Sequence, residues 1–133
     1  MPQLSVWMVR SSLVALVLGA LAGGLLLGAA PLVTMPGLAL RQMHLDLMLF
    51  GWLVQFVLGV AYWMLPRYPV QPERGPVHVA WGAFALFQGG LLIAVAGDAS
   101  LAGGLAPAGR MLLSGATLVF LAILWGRARP LTR

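Results

Sequence analysis

The chain carries two histidines and no cysteine. One of them, His44, lies near the head of a long apolar run, in the stretch RQMHLDLMLFGW that spans residues 41–52. An ionisable side chain at membrane depth is costly, and such a residue is by default a functional candidate. Imidazole is also a common ligand of transition metals, haem iron among them. Without cysteine there is no disulfide, iron–sulfur cluster or thiolate metal site. His44 is therefore the residue best placed to carry metal or redox chemistry.

At 100° per residue, the face of His44 can be followed up the helix. Gly51 and Gln55 fall within about 20° on either side of it, and Tyr62 nearly above it. Met48 and Gly59 flank this stripe, and Asp46 points almost the opposite way. A glycine at position 51 leaves room for a flat macrocycle against the backbone. Gln55 and Tyr62 direct the face into the protein rather than into lipid. Arg41 and Arg110 lie at the depth of His44, and arginine is the natural partner of paired carboxylates such as haem propionates. Each feature also has a plain structural reading. His44 can hydrogen-bond at the headgroup boundary, and both arginines can anchor helix ends. Asp46 can pair with Arg41 or Arg110, and Asp98, following Gly97 at an expected loop, reads as a solvated cap.

These residues must be positioned by helices. Of the 133 residues, 61% are hydrophobic and 8% charged, against about 25% charged in soluble domains. The mean hydropathy is +0.95. This composition is that of an all-α integral membrane protein, with length for about four spans of roughly 20 residues. Barrel strands would alternate in polarity, and these runs do not. The expected four-transmembrane-helix bundle is a single domain over 1–133, with helices at about 11–33, 42–65, 77–97 and 108–126. The first run has a long, weakly charged leader and exceeds a signal h-region, so it reads as a retained span. All eight cations are arginine, and the net charge is +5. In so apolar a chain this is a topology signal and not a nucleic-acid footprint. Arg10, Arg67, Arg74, Arg127, Arg129 and Arg133 collect at one set of ends, Arg41 and Arg110 at the other. Both termini are thus expected in the cytoplasm, in a bacterial or archaeal cytoplasmic membrane, with His44 near the periplasmic side. Two small-residue sets are expected to let helices pack closely: Gly19, Gly23, Gly24 and Gly28 in the first helix, and Gly82, Ala85 and Gly89 in the third.

Three segments together resemble catalytic subunit I of the haem-copper oxidases and nitric oxide reductases. They are MHLDLMLFGW (43–52), GVAYWMLPR (59–67) and PVHVAWGAF (76–84). The resemblance covers residues 41–90, about two helices. It implies that His44 is the axial ligand of a low-spin haem near the outer surface. His78 resembles a histidine that heads the following helix without binding metal, and is read as structural. The departures are equally clear. The family's subunit is several times longer, and its copper centre needs three histidines where this chain has two in all.

The resemblance implies a small membrane haem protein, b-type-like (a- or o-type haem being the alternatives), acting in electron transfer or diatomic gas binding. The second axial ligand is expected from the His44 of a twofold-related chain, C2 being the commonest closed symmetry. Met43, Met48 and Met111 are alternative ligands, as is an open sixth position. The expected haem-contacting set is His44, Gly51, Met48, Gln55, Arg41 and Arg110, with His44 alone on the metal. The competing expectation is a non-catalytic subunit or assembly factor that packs against a respiratory oxidase-type complex. A small transporter using Asp46 or Asp98 ranks last, because no continuous polar route accompanies them.

Overall fold

The computed structural model describes residues 1–28, 37–66, 75–100 and 104–128, all of them in or beside four helices. They are α1 (Gln3–Gly28), α2 (Gly37–Met64), α3 (Val77–Ala99) and α4 (Leu105–Arg127), each long and apolar enough to cross a membrane. The chain is thus all-helical, as its composition demands. The arginines at 67, 74, 129 and 133, the end of the first expected helix at 29–33, and most of the expected 67–76 turn lie outside the described residues.

Three helix starts fall earlier than the sequence suggests, and those of α1 and α4 have a local reason. α1 begins at Gln3 because its serines do not interrupt it. Ser11 Oγ donates to Trp7 O at 2.7 Å and Ser12 Oγ to Val9 O at 2.8 Å, so each hydroxyl is satisfied inside the helix. Arg10 consequently sits well inside α1 instead of ahead of it. α2 begins at Gly37. α4 begins at Leu105 because Pro107 falls in its first turn, where the missing N–H has no helical partner to lose. Residues Leu47–Val54 of α2 are wound as π-helix. The Gln55 N–H donates to Phe50 O, five residues back. Such turns are rare and concentrate at functional positions.

The helices form two antiparallel pairs. In the first, the N-terminal half of α1 lies along the C-terminal half of α2. A methyl group placed on Gly59 would meet Met8 Cβ at 2.9 Å, and one on Gly51 would meet Ala15 Cβ at 2.8 Å. In the second, α3 and α4 approach until their backbones touch. A methyl group on Gly90 would meet Gly109 O and Leu113 N, both at 2.9 Å. The close face of α3 is therefore Gly90, Ala94 and Gly97, not the expected Gly82, Ala85 and Gly89. Gly82 and Gly89 have open space where a side chain would go. Small size permits close approach, but which small residues meet a partner depends on where that partner lies. Likewise Gly19 and Gly23 of α1 meet α2, while Gly24 and Gly28 meet nothing.

Arg127 joins the two pairs at one end. It is 3% exposed, although the sequence reads it only among the arginines that mark helix ends. Its guanidinium donates to Tyr62 O at 3.0 Å, Leu65 O at 2.6 Å and Pro66 O at 3.0 Å. It also lies 5.2 Å from the centre of the Tyr62 ring. A helix ends in carbonyls without intrahelical partners and with partial negative charge. The last side chain of α4 thus caps α2. Gln3 and Arg127 share that end of the bundle.

Two stability predictions follow from this packing. Arg127→Met is expected to destabilise the bundle by about 2–3 kcal/mol, since hydrogen bonds to a charged group are lost and carbonyls are left bare. Gly109→Ala drives a methyl group to 2.6 Å from Gly90 O and lowers the unfolding midpoint. Gly115→Ala, where nothing lies within 4 Å, raises it slightly, as alanine for glycine does in an open helix position. Denaturant unfolding in detergent micelles, followed by circular dichroism, measures all three.

Candidate functional site

His44 faces α1. Its Nδ1 lies 2.7 Å from the carbonyl oxygen of Gly19, and a carbonyl can only accept. Nδ1 therefore carries the proton and donates, which leaves Nε2 as the unprotonated nitrogen of the neutral ring. The ring lies directly against Gly23. A methyl group there would stand 2.8 Å from Cε1 and 2.9 Å from Nδ1. The two glycines of α1, one turn apart, make the recess that holds the imidazole. A carbonyl fixing Nδ1–H is the arrangement that orients a metal-ligating histidine through Nε2. The same bond also serves as an interhelical tie.

The stripe expected above His44 is real and faces α1 throughout, across the π-helical turns. Met48 packs its side chain against Gly19, and Gly51 sits between Ala15 and Leu91. Gln55, 1% exposed, donates through Nε2 to Met8 O at 3.2 Å and to the Ser11 hydroxyl. Tyr62 is equally buried and packs among Leu4, Met8 and Leu58. The space over Gly51, expected to receive a macrocycle, is thus filled by Ala15 and by Leu91 of α3, 3.1 Å from a methyl group there. Periodicity locates the face but cannot say what covers it.

Asp46 points away from α1, as expected, and meets α4. Arg110 Nε donates to Asp46 Oδ2 at 3.0 Å, and Nη2 stands 2.9 Å from the same oxygen. Nη2 also reaches Asp98 Oδ2 at 2.7 Å. The side chains of Asp46 and Asp98 are only 7% and 10% exposed. Asp98 is therefore no solvated cap. It closes a three-residue ion cluster that joins α2, α3 and α4. Of the two arginines expected to hold propionates, Arg110 already serves these two carboxylates, and Arg41 is exposed. His78 lies exposed at the start of α3, at the opposite end of the bundle from His44. Among the described residues, no group of three or more histidine, cysteine or acidic side chains could enclose a metal ion.

Of the two histidines, His44 is the one whose tautomer is fixed by a backbone carbonyl, with Nε2 unprotonated. The other candidate side chains bond or pack within the chain, save exposed Arg41. The ion cluster was only partly foreseeable. Arg110 as a partner for Asp46 is one of the expected pairings, whereas Asp98 is recruited by the turn of α3 into α4.

Arg110→Met would leave two buried carboxylates uncompensated, and it is expected to cost about 3–5 kcal/mol, as when one partner is removed from a buried pair. Adding Asp46→Asn and Asp98→Asn to that variant should restore most of the loss. An unfolding series on wild type, single and triple variants checks this. A triple variant no more stable than the single one would mean that the cluster is not the source of the effect. The chain matches no family model, and no curated protein or solved structure is similar to it.

Proposed function

We propose that the protein is a small multi-pass membrane haem protein in which His44 is an axial ligand through Nε2. The observation that carries the reading is the bond from His44 Nδ1–H to Gly19 O. It fixes the tautomer a haem ligand needs and holds the ring in the recess at Gly23. A bound haem would supply reversible one-electron exchange or an iron site for a diatomic gas. The protein's own residues supply the ligand, the ring's orientation and an apolar surround. Because Gly51, Gln55 and Arg110 bond or pack within the chain, one chain offers a ligand without an enclosing pocket. The proposal therefore includes a C2 homodimer with one His44 from each chain on a shared haem. It also places both termini in the cytoplasm, from the arginine distribution. The resemblance to haem-copper oxidase subunit I supports the ligand assignment only.

The alternative is a non-catalytic subunit or assembly factor of a respiratory oxidase-type complex. It draws on the commitment of most candidate polar side chains to contacts inside the chain. In that case His44 is an interhelical tie and nothing more.

The test is the reduced-minus-oxidised absorbance spectrum of protein purified after haem supplementation, beside His44→Ala. Sharp alpha and Soret bands that disappear in the variant, together with a dimer mass holding one haem, are expected. Gly23→Ala, whose methyl group displaces the imidazole, should shift those bands or lower haem retention while the helical content stays unchanged. A wild-type protein that folds and takes up no haem overturns the proposal in favour of the subunit reading.

A further inference from the structure

The outer surface of α1 and α3 carries a groove of about 700 Å³, floored by Leu40, Met43 and Leu47 of α2. Its walls are almost wholly apolar, with Val14, Leu18 and Leu25 from α1 and Leu91, Leu92 and Val95 from α3. The exceptions gather at one end, where Arg10, Ser11 and Gln88 lie beside Trp7.

The levels of these groups follow from the packing. Gly51 stands between Ala15 and Leu91, which puts those two residues at one height. Gln88 lies about 4.5 Å from Leu91 toward the N-terminal end of α1, and Arg10 about 7.5 Å from Ala15 in the same direction. Trp7 lies one further turn along, and tryptophan marks the membrane–water boundary. From Arg10 to Leu25 the groove runs about 22 Å along α1, more than the ~15 Å share of one leaflet.

The described carboxylates, Asp46 and Asp98, both belong to Arg110, so Arg10 has no acidic partner among the described residues. Gln88 Oε1 is a buried acceptor without a hydrogen-bond partner. A guanidinium beneath a boundary tryptophan reaches up to the headgroups along its aliphatic stem. It forms charge-assisted bonds with phosphate.

We propose that the groove binds one anionic phospholipid from the leaflet on the side of the chain's N-terminal end. Its phosphate pairs with Arg10, and an acyl chain lies along Val14, Leu18, Leu92 and Val95. A second copy of the chain seated here across a twofold axis would bring the two Arg10 side chains together, which like charge opposes. The proposal rests on the membrane-spanning part of the functional reading and is independent of haem.

The experiment is native mass spectrometry of the full chain in detergent, titrated with phosphatidylglycerol or phosphatidylcholine. The wild type is expected to retain one phosphatidylglycerol in preference to phosphatidylcholine. Arg10→Gln should weaken phosphatidylglycerol retention roughly tenfold, the scale of one charged hydrogen bond, and phosphatidylcholine retention less, because choline already offsets the charge of its phosphate. Leu92→Trp, which fills the tail of the groove, should weaken both. Equal retention of the two lipids, or retention indifferent to Arg10→Gln, identifies surface lipid without a site and overturns the proposal. A lipid-free dimer that Leu92→Trp dissociates overturns it in favour of a second copy. The readout is lipid mass, so a failed haem spectrum leaves it intact.

Discussion

One guanidinium shared by two carboxylates sets the arrangement of this bundle. Arg110 on α4 holds Asp46 of α2 and Asp98 of α3, in a chain whose helices are otherwise apolar. Charges removed from water are tolerated only when paired and hydrogen-bonded. The two helix pairs have strong reasons to form separately, α1 with α2 through the glycine-rich stripe, α3 with α4 through backbone contact at Gly90 and Gly109. Apolar packing alone would leave their mutual rotation weakly specified. The ion cluster at one end and Arg127 on the α2 carbonyls at the other hold that rotation at two points.

The same economy governs the polar stripe of α2. His44 bonds to a carbonyl of α1, and Gln55 bonds to a carbonyl and a hydroxyl further along it. Small residues stand opposite the bulkier ones: Gly23 of α1 against His44, Gly19 of α1 against Met48, and Gly51 of α2 against Ala15 and Leu91. The glycines that look like a generic close-packing motif are thus a mould for particular side chains. For His44 this has a chemical consequence. A ring held on two sides and bonded through Nδ1 has little freedom, and its remaining nitrogen is the basic one. The bond that packs the ring between the helices also fixes its tautomer.

Polarity is distributed unevenly around the bundle. The interior carries the ion cluster and the bonded Arg127, whereas the groove beside Trp7 carries a cation without an acidic partner among the described residues. In an apolar surround such a group takes its partner from the lipid headgroups or from another molecule. This is why Arg10 differs in kind from Arg110 and Arg127, though all three lie within helices long and apolar enough to cross a membrane.

Composition and hydrophobic run length determined the class, all-helical with four helices long and apolar enough to cross a membrane, because unbroken apolar runs of this length satisfy their backbone in lipid only as helices. Helical periodicity placed His44, Gly51, Gln55 and Tyr62 on one face and Asp46 on the other, and both placements hold in the structure. Periodicity acts within a helix, so it carries no information about what lies opposite. Only the tertiary structure decided that α1 covers that face, that Gly51 is filled by Ala15 and Leu91, and that Gly90 rather than Gly89 meets α4. The roles of Asp98 and Arg127 were equally out of reach of the sequence. A charge near a helix end reads as solvated until a neighbouring helix end, brought there by the fold, supplies the partner that makes burial favourable.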